Sequence, residues 1–299
     1  MAVPSIIAQE TNALSSTSHE GPREGKSGFN DNFRSDPNLL EASTSRTSNH
    51  PKTILTYMNE PIREDLFLEI QLLLLAFGTG IQDACTYPDY FCFASNQTGN
   101  TVLLAIGVSG LGMGSFEFAN IGVSLGLFVA GSLVAGQIGN VVGPRRRAWL
   151  LVSSLIQTMA VWAAVIIQYT TPRSHTGPDA FAVLSLLAFS ASAQVAMSRG
   201  LKITEITTAM ATAAYVDFLV DVNLYARHNR GRNRRIAFLL TLAGGSFVGA
   251  FANKMMGSAF ALMISGVLKT VAMIGLFFNQ AMNLDELEAK KKETALMLG

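Results

Sequence analysis

The sequence has little charge, and that charge is unevenly spread. Of its 299 residues, 14% are charged and 49% are hydrophobic, whereas a soluble domain usually has about 25% charged residues. No lysine or arginine occurs between Arg63 and Arg145. A soluble fold would lack the charged side chains to cover its surface over this interval, but a membrane favours such a composition because buried charge is costly. The formal net charge of +1 gives no indication of nucleic-acid binding.

Cysteines and catalytic motifs are also scarce. Two cysteines, Cys85 and Cys92, are too few for a metal framework or a disulfide scaffold. Small apolar filler is the favoured interpretation, and one local disulfide is the alternative. The sequence contains no H-E-x-x-H, G-x-S-x-G or P-loop motif, and the four histidines lie in the N-terminal region or in predicted loops. We therefore predict no cofactor, no metal site and no catalytic residues, and the sequence does not favour an enzyme.

Six apolar segments have about the length that crosses a membrane, for which about 20 mostly apolar residues are needed. They are roughly residues 66–84, 116–138, 148–169, 180–197, 236–253 and 259–278. Two further segments, roughly 98–113 and 206–222, are shorter or more polar. The sequence predicts an all-α fold, a polytopic membrane helix bundle over residues 62–282. A disordered polar tail is predicted before it, over residues 1–60, and a charged tail after it, over residues 283–299.

Weak internal similarity divides the membrane domain into two halves. The stretch "AGSLVAGQIGN" aligns with "GGSFVGAFANK", which places Gly131 opposite Gly245. A threonine that opens one of the short segments, Thr98 or Thr212, stands 33 residues before each glycine. We therefore predict two pseudo-repeated halves, at about 66–169 and 180–278.

The positions of arginine and lysine distinguish six spans from eight. If both short segments cross the membrane, the inner and outer loops carry six basic residues each. If both segments return to the side from which they enter, ten basic residues lie inside and two, Arg173 and Lys254, lie outside. The second arrangement is favoured, with about six spanning helices, two short re-entrant or broken segments and both termini in the cytoplasm. Three crossings per half make the halves inverted repeats, a pattern found in transporters.

Several small and polar residues near the short segments form a recognisable pattern: Gly80-x-x-Asp83-Ala84, Thr98-Gly99-Asn100-x-Val102, Gln194 and the stretch "TTAMAT". This pattern resembles the YoaK-like membrane proteins of bacteria and fungi, over roughly residues 62–282. The polar N-terminal tail is more like the fungal members. The resemblance implies an integral membrane protein with about six spans and supplies no activity. Many members repeat Thr-Gly in the second half, where this chain has Thr212-Ala213.

Polar residues at membrane depth are the candidate substrate-binding residues, because ionisable groups there are usually functional. The break in "SNQTGN" would start a half-helix whose amides attract polar or negative groups, although a helix cap at the membrane surface is the alternative. The candidates are Asp83, Gln97, Thr98, Gly99, Asn100, Gln194, Thr212, Asp217 and Lys269. Lys269 is expected to pair with Asp83 or Asp217, either at a binding site or as a fixed ion pair.

Two functions fit this pattern. The first is a secondary transporter or carrier of a small polar or anionic solute. The second is a non-transporting scaffold or lipid-interacting protein, whose basic loop binds anionic lipid headgroups. The loop arginines are Arg227, Arg230, Arg232, Arg234 and Arg235.

Glycine spacing also predicts close helix contacts. Gly122 with Gly126 and Gly245 with Gly249 make G-x-x-x-G patterns, which let helices approach closely. Packing between the two halves is the favoured interpretation, and a homodimer face is the alternative.

Overall fold

A computed structural model describes residues 53–111, 117–172 and 174–283, and within these ranges the secondary structure is helical apart from two isolated β-bridges. The helices are α1 Ile54–Asn59, α2 Leu66–Tyr90, α3 Gln97–Val108, α4 Phe118–Val142, α5 Arg147–Thr170, α6 Pro178–Gly200, α7 Ala211–Leu219, α8 Arg230–Met256 and α9 Ser258–Gly275. Six of them, α2, α4, α5, α6, α8 and α9, are long and apolar enough to cross a membrane. The predicted all-α membrane bundle is confirmed.

Several spanning helices extend beyond the predicted apolar segments. α2 continues to Tyr90, six residues past the predicted end, and α8 begins at Arg230, six residues early. Polar caps fix the starts of both helices: the side chain of Asp65 accepts a backbone hydrogen bond in the first turn of α2, and Asn229 does the same for α8. Hydrophobicity alone placed the start of α8 too far inward because its polar cap and its arginine-rich first turn lie outside the apolar run.

The centre of the bundle consists of α2, α5, α6 and α9. α9 packs on α2 and α5, and α5 packs on α6. The outer helices α4 and α8 pack mainly on α6 and α2, respectively, and expose much of their remaining surface. Apolar side chains fill the interior in two clusters, one around Leu72 and Leu150 and the other around Ile81 and Leu187.

Glycine sets the approach of each outer helix to its neighbour. A Cβ atom at Gly245 would lie 2.1 Å from a backbone oxygen of α2, and one at Gly249 would lie 2.7 Å from a Cα atom of the same helix. A Cβ atom at Gly131 on α4 would lie 2.1 Å from a serine hydroxyl of α6. The predicted packing between the two halves is wrong for Gly122 and Gly126, where an added Cβ would meet nothing within 4 Å among the described residues, and a homodimer face stays a prediction. These two glycines lie on an exposed face of α4.

The short helices α3 and α7 lie in segments that leave and return at the same end of the bundle. The chain leaves α2 at Tyr90 and starts α4 beside it, because Asn120 Nδ2 donates to the Tyr90 carbonyl at 2.9 Å. The segment containing α7 leaves α6 near Leu201 and returns where Asp221 pairs with Arg235 of α8. We call the end opposite Tyr90 the arginine-rich end. Because α3 and α7 are short and each segment returns to the end that it left, we call them half-helices.

The last residues of the predicted disordered tail are helical, because α1 spans Ile54–Asn59. α1 packs against the arginine-rich end, where the guanidinium of Arg147 lies 4.1 Å from the centre of the Tyr57 ring. The Tyr57 hydroxyl donates to the carbonyl of Phe277, and Pro61 pairs with Arg146 in a β-bridge. The remainder of the predicted tail, and the charged tail after residue 283, lie outside the described residues.

Candidate functional site

Asp83 holds the turn that leads into the first half-helix. Its carboxylate accepts hydrogen bonds from the backbone amide of Ser95 at 2.8 Å and from the Ser95 hydroxyl. Asp83 precedes the end of α2 by seven residues, which corresponds to about 10 Å along a helix. The chain after α2 therefore turns back toward the middle of the bundle before α3 begins, as the polar stretch "SNQTGN" suggested.

Asn100 fixes the same turn from inside. Its side chain is buried, accepts from the Phe93 amide at 2.8 Å and donates to the Phe93 carbonyl at 2.8 Å. It also donates to Gln97 Oε1 at 2.8 Å. Asn96 caps the start of α3, because its Oδ1 accepts a hydrogen bond from the Gly99 amide at 3.0 Å. A Cβ at Gly99 would lie 2.9 Å from the Phe93 ring, so Gly99 and Asn100 shape the turn rather than face a solute.

The starts of the two half-helices meet at one cavity of about 800 Å³. α2 and α8 contribute walls, and Phe128 of α4 contributes a ring. Four of the predicted site residues line this cavity: Asp83, Gln97, Thr98 and Thr212. The cavity is therefore built from both halves of the chain.

The second half-helix begins at the cavity without a side-chain cap. Met210 occupies the cap position of α7 and makes no side-chain cap hydrogen bond. Its carbonyl accepts from the Thr207 hydroxyl at 2.9 Å, which anchors the preceding loop. Ala211, Thr212 and Ala213 form the first turn and line the cavity. Backbone amides in a first turn have no acceptor within their own helix, so this turn offers hydrogen-bond donors to a solute.

Within the described residues Lys269 does not pair with a carboxylate, so the predicted ion pair with Asp83 or Asp217 is wrong. Its ammonium group is buried in the centre of the bundle, where it donates to Ser190 Oγ at 3.0 Å and to Gln194 Oε1 at 2.7 Å. The physical reason is the rotation of α2. Gln82 faces α9, since its amide donates to Ser265 of that helix, and the next residue, Asp83, therefore points away.

Two further predicted site residues lie outside the cavity. Gln194 belongs to the central hydrogen-bond network, where Nε2 donates to Thr79 Oγ1 at 2.9 Å. Asp217 is exposed on α7 and is not among the lining residues. A carboxylate five residues after Thr212 lies in a later turn of the half-helix than the residues that face the cavity.

Sequence reasoning missed several lining residues. Two of them, Ser95 and Asn96, belong to the polar stretch "SNQTGN". Their hydrogen-bonding side chains were the signal that could have identified them as lining residues. Among the others are Ser246 and the aromatic residues Tyr87, Phe93, Phe128 and Phe247. Aromatic residues are common throughout apolar segments, so nothing in the sequence separated these four from lipid-facing ones.

The arginine-rich end contains an ion-pair network. Arg234 lies 2.7 Å from carboxylate oxygens of both Glu64 and Glu69 and 3.5 Å from Glu205. Arg230 also pairs with Glu69. These contacts join the start of α2, the loop after α6 and the start of α8. The network therefore connects the two halves at the end opposite Tyr90.

The arginines predicted to bind lipid are largely engaged within the protein. Arg230, Arg234 and Arg235 make ion pairs, and Arg232 donates to the carbonyls of residues 224 and 226. Hydrogen bonds and electrostatic attraction hold the pKa of Asp221, the partner of Arg235, below its usual range; the largest cause is the hydrogen bond from the Asn223 amide. Binding of anionic lipid at this loop stays a prediction.

Both cysteines are free and buried, which fits the interpretation as apolar filler. Burial, together with the nearby carboxylate of Asp83, raises the pKa of Cys92 to about 12. The Cys92 thiol is therefore protonated at neutral pH and is a poor nucleophile. Within the described residues, no group of three or more His, Cys, Asp or Glu side chains is placed to hold a metal ion.

The arrangement can be compared with known proteins. Residues 71–275 match the family described as "Protein of unknown function (DUF1275)". The chain belongs to this family. The match runs from the second turn of α2 to the end of α9, so it includes both half-helices and the cavity. No curated protein and no solved structure matches the chain. The narrower YoaK-like and fungal-type resemblance stays a prediction.

Proposed function

We propose that the protein is a secondary carrier of a small polar solute, which binds in the cavity between the half-helices. The observation that carries this proposal is that two non-helical segments, one before α3 and one before α7, converge on a single cavity. Broken helices that meet inside a membrane bundle place unpaired backbone groups beside a solute, as in secondary transporters. The volume of about 800 Å³ lies within the range of small-molecule sites.

The packing of the helices supports an inverted repeat, which the proposal requires. The contact of α2 with α8 corresponds to that of α6 with α4, and the contact of α2 with α9 corresponds to that of α6 with α5. Gly245 packs against Phe77 of α2, and Gly131 packs against Phe189 and Ser192 of α6. Phe77 begins "FGTGIQ" and Phe189 begins "FSASAQ". Two similar halves could exchange conformations, which would expose the cavity alternately to the two sides of the membrane.

The arginine-rich end supports the same proposal. The network around Arg234 ties Glu64 and Glu69 of the first half to Glu205 of the second. An inverted-repeat carrier needs contacts of this kind that close one end and separate when that end opens. A non-transporting scaffold has no need of a cavity built from both halves, and so the carrier is the function that we favour.

The test is solute flux into proteoliposomes that contain the full-length protein. We would use labelled glycine, glycerol, choline and acetate as probes and protein-free liposomes as the baseline. Thr98→Trp should block the cavity, because Thr98 lines it in the first turn of α3. Thr101→Trp is the matched control, since Thr101 is exposed on the same helix and is not among the lining residues.

Flux of at least one probe that Thr98→Trp abolishes and Thr101→Trp retains is the expected result. Equal and baseline flux in all three proteins would refute the carrier and favour the scaffold.

A further inference from the structure

We propose that the cavity selects solutes that carry a small organic ammonium group, with Asp83 as its counter-ion. This inference rests on the proposed carrier function and names the class of solute. It specifies the polar solute as a cationic or zwitterionic one and replaces the anionic solute that the sequence suggested. Three features of the cavity support it: the sign of its charge, the environment of the carboxylate and the aromatic surface beside it.

The charge of the lining comes from one residue. Among the lining residues in the described part of the chain, Asp83 is the only Asp, Glu, Lys, Arg or His. An anionic solute would be repelled by this carboxylate in a medium of low dielectric constant. A cation would be attracted to it, and the attraction would offset the cost of holding a carboxylate within the membrane.

Asp83 accepts its hydrogen bonds from neutral groups. Ser95 donates to one carboxylate oxygen through its amide and to the other through its hydroxyl. No ion pair to Asp83 occurs within the described ranges. Ser95 therefore holds the carboxylate at the cavity wall without neutralising it. We assign Ser95 as a positioning residue.

Aromatic rings make the site better suited to an organic ammonium group than to a bare metal cation. Tyr87, Phe93, Phe128 and Phe247 line the cavity. The Tyr87 and Phe93 rings are stacked, with centroids 4.9 Å apart. Aromatic faces attract ammonium groups, which lose less hydration than a small metal ion does. The cavity is also much larger than a single ion requires.

The experiment measures binding of choline to the full-length protein in detergent by isothermal calorimetry. The control ligand is 3,3-dimethylbutan-1-ol, which has the shape of choline but carries no charge. We expect choline to bind at least about tenfold more tightly than this neutral isostere. Asp83→Asn should remove this preference, whereas Asp217→Asn should retain it because Asp217 is not among the lining residues.

A second variant keeps the proposal testable if Asp83→Asn does not fold. Phe128→Leu removes one ring and leaves the contact of Asp83 with Ser95 intact, so it should weaken choline binding several-fold and leave the neutral isostere unchanged. Absence of choline binding, equal binding of both ligands, or a preference for choline that survives Asp83→Asn would overturn the inference.

The outcome is separate from that of the flux assay. Flux of glycerol or acetate that depends on Thr98, without choline binding, would leave the carrier standing and refute the ammonium site. Choline binding without flux of any probe would refute the carrier alone.

Discussion

The central hydrogen-bond network around Lys269 gives a quantitative prediction. Lys269→Met replaces the ammonium group with an unbranched apolar end of similar length, so the variant leaves little cavity. The change removes the hydrogen bonds to Ser190 Oγ and Gln194 Oε1. The acceptor at Gln194 is then left in the interior without this donor.

The expected loss of stability is modest. Side-chain hydrogen bonds in membrane bundles average about 0.6 kcal/mol each, so two of them correspond to about 1.2 kcal/mol. A buried acceptor without a donor costs about 1–3 kcal/mol. Removal of the cost of burying the ammonium group opposes both losses. We therefore expect the free energy of unfolding to fall by about 1–2 kcal/mol, whereas a stranded carboxylate would make the loss about 3–5 kcal/mol.

A double-mutant cycle separates the two cases. Lys269→Met combined with Asp83→Asn should be additive within about 0.5 kcal/mol, because the two residues share no partner. Lys269→Met combined with Gln194→Leu should be less costly than the sum of the single changes, since both remove the same hydrogen bond. The assay is reversible unfolding in mixed micelles with increasing SDS. Val271→Met, at an exposed position on the same helix, is the control.

Coupling between Lys269 and Asp83 that exceeds about 1 kcal/mol would refute this account. It would mean that the two groups interact as an ion pair and that α2 is rotated relative to the structure described above. Additivity of Lys269→Met with Gln194→Leu would refute the hydrogen bond itself.

Three further predictions follow from the packing and the topology. Gly245→Ala should lower the folded yield and the Tm because the new Cβ would lie 2.1 Å from a backbone oxygen, whereas Gly122→Ala, where an added Cβ meets nothing, should not; equal behaviour in thermal melts would contradict this packing. Because Cys92 is buried with a pKa raised to about 12, N-ethylmaleimide at pH 7 should leave Cys92 unlabelled in the folded protein and label it once denaturant is added, which mass spectrometry checks. Cysteines at the exposed positions Ser109 and Arg146 should react from opposite sides of the membrane, and labelling of both from one side would contradict six crossings.

The sequence by itself determined the class of fold and the number of long helices. The length of an apolar segment and its mean apolarity are properties of consecutive residues, so they can be read from the sequence without knowing which helices pack together. The polar stretch around Thr98 was recognisable as a break for a similar reason: its side chains cap and hold backbone groups only a few residues away. The glycine at 245 was identified through its match to Gly131.

Only the tertiary structure decided which polar groups meet. Asp83 and Gln82 are neighbours in sequence, but a rotation of about 100° per residue sends one to the cavity and the other to α9. Lys269 was therefore assigned the wrong partner, and Gly122 was assigned a helix contact that is not found among the described residues. The cavity joins α3 with α7, whose starts are more than a hundred residues apart. Such a meeting depends on how whole helices pack, which no local pattern specifies.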